Sequence, residues 1–180
     1  MKMIQLTLAL ILMMVHLDGF TADQDFRTAT VISATALETA MHEAAPDRVS
    51  DQPLSHVESA EGRLGIGVVH RPVIALGSPI DAIQHHKQSE VYRVMAGKGV
   101  LVTSKSMADN AAIDPEGFVV QNLVGPSDRG VIVDIENSQP IAAGDIVIIP
   151  AGVAHGFSEI SEAITYMVVR IDPERLVALK

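Results

Sequence analysis

A chain of 180 residues with a formal net charge of -9 and no cysteine is sized for one domain, and it lacks disulfides, thiolate metal ligands and a cysteine nucleophile. The acidic balance, with no basic stripe to offset it, argues against nucleic-acid binding. Aromatic residues are 3% of the chain and Trp is absent, so the core must come from Val, Ile, Leu and Ala, residues that favour strands.

Residues 1–17 (MKMIQLTLALILMMVHL) join an early Lys to an apolar run, and small or polar residues follow, which is the pattern of a secretory signal peptide. The run is shorter than the roughly 20 apolar residues of a membrane span. Cleavage near Ala22 is expected to leave a periplasmic or secreted protein without stable membrane association. The expected organisation is a leader at 1–22, a helical segment at 23–46 and one β domain at 47–180.

Within the helical segment, residues 33–45 are rich in helix formers, Thr35 and Glu38 have the spacing of a capping box, and Pro46 ends the run. From Asp47 onward, short apolar runs are broken by Gly, Pro, Asn and Asp, the punctuation of an all-β fold. Strands are expected near 54–59, 64–70, 73–76, 83–86, 91–95, 99–103, 119–123, 131–135, 145–149, 155–158 and 164–171. Residues 104–117 read as a surface loop and Gly97-Lys98-Gly99 as a hairpin turn. Strands so numerous and closely spaced imply a sandwich or barrel.

Two stretches carry chemistry. In QHHKQSEVYRVMAGKG (84–99) two histidines end a strand and Glu90 opens the next. Alternation puts Gln84 and His86 on one face and His85 on the other, and it places Tyr92 on the face of Glu90. In GDIVIIPAGVAHGFSE (144–159) Pro150 and Gly152 make a tight reversal before His155, a position for which core packing gives no reason to use histidine. Two imidazoles and one carboxylate converging from neighbouring strands suit a divalent transition metal such as Fe, Mn, Ni or Zn, and leave coordination positions open.

These stretches resemble the two motifs of the cupin superfamily, G-x5-H-x-H-x(3,4)-E-x6-G and G-x5-P-x-G-x2-H-x3-N. Gly144, Pro150, Gly152 and His155 match the second at every spacing, and Glu90 with Gly97 matches the end of the first. The opening H-x-H is degenerate. With His86 as its second histidine, Gln84 stands first and offers an amide oxygen. With His85 there, Ile83 stands first and Gly77 aligns with the opening glycine. The Gln84/His86 register is preferred because Ile cannot ligate; His85 is the alternative, as is a bulge turning both histidines inward. The final Asn of the second motif is replaced by Glu159.

The resemblance implies an all-β, double-stranded β-helix or jelly-roll barrel with a short N-terminal helix, one divalent metal on its axis, and a homodimer as a family-level expectation. The metal-ligand candidates are His86, Glu90 and His155, with Gln84 or His85 completing the set. Tyr92 and Glu159 are the candidates for moving a proton. The reading is a metal-dependent enzyme of dioxygenase, lyase or isomerase type acting on a small polar molecule in the cell envelope; the alternative is a non-catalytic binding or sensing module. His16, His42, His56 and His70 fit no motif and read as surface or structural, and Arg93 and Arg170 read as surface ion pairs.

Overall fold

A computed structural model describes residues 28–178; the expected leader lies outside the described residues. Helix α1 (Ala34–Glu43) is capped by Ser33, whose hydroxyl accepts from the Ala36 N–H at 3.1 Å, rather than by Thr35. It lies against the first two strands, β1 (Ser50–Ser59) and β2 (Gly62–Arg71), and buries Ala40 there. Among the described residues no helix is long and apolar enough to cross a membrane.

The remaining strands are β3 (Asp81–His85), β4 (Ser89–Ser104), β5 (Ala108–Ala112), β6 (Ser127–Val131), β7 (Asn137–Ala142), β8 (Ile146–Ile149) and β9 (Ala154–Asp172). All pairings are antiparallel. Strands β4 and β9 pair along their whole length, from Ser89 opposite Ile171 to Ser104 opposite Ala154. One half of this long pair carries β2 and β1 beyond β9, and β8 beyond β4. The other half carries β3, β6 and β5 beyond β9, and β7 beyond β4. This is an antiparallel β-barrel of jelly-roll type with a short N-terminal helix, the architecture the motif resemblance implies.

Several expected elements are redrawn, each for a local physical reason. Gly97-Lys98-Gly99 is no hairpin turn but a run of bulges inside β4, where the pairing register shifts repeatedly. Gly97 has φ +78, and a Cβ there would sit 2.1 Å from the Ala163 carbonyl oxygen, so only glycine lets the two long strands bend so closely. Residues 119–123 form no strand; Val120–Val124 is a π-helical turn that buries Val120, Leu123 and Val124, apolar at helical spacing. Strand β7 lacks an apolar strand pattern, since NSQPIA is polar and holds Pro140, which suits a strand paired on one side only, as β7 is with β4. The expected loop at 104–117 contains β5, and Met107 before it packs on the small buried cluster of Ala82, Val102, Ile132 and Ala154. The expected strand at 73–76 reduces to a single bridge between Ile74 and Ile160.

The main core fills the barrel interior, from Val69, Val94 and Leu101 to Ile160, Ile164 and Val168, with Tyr92, Phe157 and Tyr166 as its large members. Along β9 the inward set is Ile164, Tyr166, Val168 and Arg170, a period of two that ends on a cation. The opposite, outward face of the same sheet is apolar too. Ile148, Val91, Val169 and Ile66 form one cross-strand row, and Ile148 is 72% exposed.

Candidate metal centre

Strand pairing decides which histidine enters the barrel. Ile83 of β3 lies directly opposite His155 of β9, and directly opposed residues share a face. His85, two residues on, therefore points inward with His155, and Gln84 and His86 do not. The preferred Gln84/His86 register is thus not the one adopted, and Ile83 holds the place of the first motif histidine. The outward residues have partners of their own: Gln84 Nε2 donates to the Gly152 carbonyl at 2.7 Å, and His86 Nε2 lies 3.1 Å from Asp128 Oδ1 with its side chain 40% exposed.

His85, Glu90 and His155 meet in the interior, all buried, and their ligand atoms lie within 4.8 Å of one another. Glu90 Oε2 is 3.2 Å from His85 Nε2 and 3.4 Å from His155 Nε2. Tyr92 completes the group, its hydroxyl donating to Glu90 Oε2 at 2.7 Å and lying 3.2 Å from His155 Nε2. Glu159 is half-buried, four residues beyond His155, and makes no hydrogen bond or ion pair to this group among the described residues.

The other ring nitrogens determine what the two Nε2 atoms can do. His155 Nδ1 sits 3.0 Å from the Val153 carbonyl oxygen, which only accepts, so Nδ1 carries the proton. His85 Nδ1 is 2.9 Å from Ser127 Oγ, whose own proton goes to the carbonyls of Gly125 (3.0 Å) and Val124 (3.3 Å), so this Nδ1 also donates. In the neutral form of each ring this leaves the Nε2 lone pair facing the carboxylate oxygen. This is how metal-ligating histidines are held, the far nitrogen anchored and the near one bare.

Glu90 is held as firmly. Its Oε1 accepts from Arg170 Nε at 2.9 Å, and Arg170 turns its other edge to Asp51 of β1, at 3.2 and 2.6 Å. Arg170 lies opposite Glu90 on β9 and is 6% exposed, so it is a buried ion pair and not the surface one expected. Arg93 faces outward and is exposed, but the expected ion pair is absent among the described residues. Burial alone would raise the Glu90 pKa, but the positive charge of a protonated His85, hydrogen bonds from the two imidazoles when they carry a proton on Nε2, and Arg170 hold it well below the usual carboxylate range. Burial pushes His85 below the ordinary imidazole value despite the pull of Glu90. Burial, then Glu90, raises Tyr92 well above the ordinary phenol value, so its hydroxyl keeps its proton.

With both rings neutral, three electron-pair donors converge beside the Tyr92 hydroxyl. Ligands about 2.1 Å from one cation and at right angles or slightly wider are about 3.0 to 3.4 Å apart, and the carboxylate-to-imidazole separations fall in this range. The donor set fits a divalent cation. Of the other histidines, His42 is exposed, His70 Nδ1 bonds Thr165 Oγ1 at 3.0 Å on β2, and His56 is buried on β1; His16 lies outside the described residues.

Sequence reasoning missed Ser127, Asp51 and the inward role of Arg170. The last was detectable, since Ile164, Tyr166, Val168 and Arg170 alternate along one strand face; the other two are brought in by long-range pairing.

No family model matches the sequence, and no curated protein matches it. Solved structures do. The chain is similar to ectoine synthase from P. lautus, at 11% identity over 81% of this chain and 80% of that one, TM-score 0.46. It is also similar to a Cupin 2 conserved barrel domain protein from Salinispora arenicola, at 17% identity over 81% and 91%, TM-score 0.42. A third is the Cnp3 cupin domain of Schizosaccharomyces pombe, at 10% identity over 73% and 71%, TM-score 0.45.

Proposed function

We propose that this cupin-type barrel is a metal-dependent enzyme that acts on a small polar molecule, and that its divalent transition metal is held by His85, Glu90 and His155. One observation carries the reading: two imidazole nitrogens lie 3.2 and 3.4 Å from one carboxylate oxygen in the buried interior, each ring anchored through its far nitrogen, which is the spacing of ligands around one cation. A bound ion of this kind supplies Lewis acidity to an oxygen of a bound molecule. The chain's own part is to orient and to hold a proton. Ser127 and Val153 fix the two rings, and Arg170 holds Oε1 of Glu90 so that Oε2 faces them. Tyr92 keeps a proton at the centre and can donate it to an oxyanion formed beside it.

A second reading, a non-catalytic binding or sensing module, draws support from Ile83. An alkyl side chain in place of a fourth ligand weakens the site, and an exchangeable metal suits ligand binding better than turnover. Two further parts of the proposal rest on other features. The leader-like residues 1–22 support export to the periplasm or beyond, and the outward row of Ile148, Val91, Val169 and Ile66 supports pairing with a second copy. The net charge of -9 speaks against nucleic acid as a partner.

The test is metal content by elemental analysis beside circular dichroism. Wild-type protein is expected to hold one ion per chain, His85→Ala and His155→Ala to lose it while staying folded, and His86→Ala to keep it. A wild type that takes up no divalent metal, or a His155→Ala variant that retains a full equivalent, would sink the proposal.

A further inference from the structure

Arg71 closes β2 and points into the barrel, opposite the buried Ile164. Its Nε donates to the Tyr166 hydroxyl at 3.0 Å, and its guanidinium carbon lies 5.5 Å from the centre of the Phe157 ring. Tyr166 stacks on Tyr92 with ring centres 4.2 Å apart, and Tyr92 bonds Glu90. Phe157 stands two residues from His155 and Tyr92 two from Glu90, a step of about 7 Å along a strand. Arg71 thus occupies the level of the interior next to the three ligands.

Among the described residues no carboxylate pairs with Arg71, and its two terminal amino groups have no hydrogen-bond partner. The side chain is half-buried, so that edge is not sealed in. A guanidinium clamped through Nε, laid near an aromatic ring and left with its terminal fork empty is arranged to receive an anion. Charge balance points the same way. In the buried interior the carboxylates of Glu90, Asp51 and Asp172 stand against the guanidiniums of Arg170 and Arg71. A divalent ion at the three ligands tips this balance to a net positive charge in a poorly solvated space, which favours an anionic occupant.

We propose that Arg71 is the substrate-anion receptor of this barrel, so that the molecule it takes is a small carboxylate that reaches from the Arg71 fork to the cluster of His85, Glu90, His155 and Tyr92. The inference rests on the metal-centre reading for its charge balance, and it specifies the substrate class that reading leaves open.

The test is calorimetric titration of manganese-loaded protein with lactate and propionate against the uncharged lactamide and propionamide. Wild type is expected to bind each acid about tenfold or more tighter than its amide, the scale of a charge-assisted pair. Arg71→Met should lose that preference while keeping its metal content, and Arg71→Lys should keep part of it. A second measurement needs no variant: phenylglyoxal modification of wild-type Arg71, followed by mass spectrometry, should be slowed by lactate and not by lactamide. An unchanged acid preference in Arg71→Met, no preference in the wild type, or no protection of Arg71 overturns the inference. A wild type that holds no metal but shows an Arg71-dependent acid preference would refute the metal centre and leave Arg71 as the anion receptor.

Discussion

Arg170→Met tests whether the interior is as tightly charge-coupled as its geometry says. In the metal-free protein this change leaves Glu90, 1% exposed, without the guanidinium that bonds its Oε1, and leaves Asp51 without its bidentate partner. Removing one member of a buried ion pair costs about 3–5 kcal/mol, because the remaining charge keeps its desolvation penalty. For a protein of this length each kcal/mol lowers the melting temperature by about 2–4 °C, so a fall of about 6–20 °C is expected. The assay is thermal unfolding followed by circular dichroism after exhaustive chelation. Arg93→Met on the outward face of the same sheet serves as the control and should move stability by no more than about 0.5 kcal/mol. Adding Glu90→Gln to Arg170→Met should recover part of the loss, since the orphaned charge is gone. A loss below about 1 kcal/mol for Arg170→Met would refute the reasoning, because it would mean that Glu90 is solvated or satisfied in some other way.

The remaining predictions concern register, pH and the strand bend. Ile83→His places an imidazole on the face shared by His85 and His155, and it should slow loss of metal to a chelator by at least about tenfold, whereas Gln84→His should leave it unchanged. Glu90 and His85 both titrate below their ordinary values in the folded protein, so each contributes stability that is complete above its unfolded value and lost as pH falls. The metal-free protein should therefore melt progressively lower from about pH 6.5 downward, and in His85→Asn the decline should begin only in the carboxylate range near about pH 4.3. Gly97→Ala forces a side chain against the Ala163 carbonyl at positive φ and should cost at least about 1–3 kcal/mol in thermal unfolding, while metal content at low temperature is preserved.

Short-range sequence determined a good deal here. Alternation of apolar residues and Gly/Pro punctuation sufficed for an all-β domain. The unbroken Gly144, Pro150, Gly152, His155 spacing located the second ligand strand, and Glu90 and Tyr92 share a face because they are two residues apart on one strand. These features are local: each depends on the period of a strand or the geometry of a turn, and a window of a dozen residues contains the whole cause.

The tertiary structure decided what such a window cannot hold. With adjacent histidines, alternation guarantees only that one faces in; which one is set by Ile83 lying against His155, about seventy residues away, and by Ser127 and Asp128 of β6 offering partners to His85 and His86 in turn. The same distance hides Asp51 and Arg71, ordinary surface residue types that antiparallel pairing carries into the interior, where scarce water turns each charge into a constraint on its neighbours.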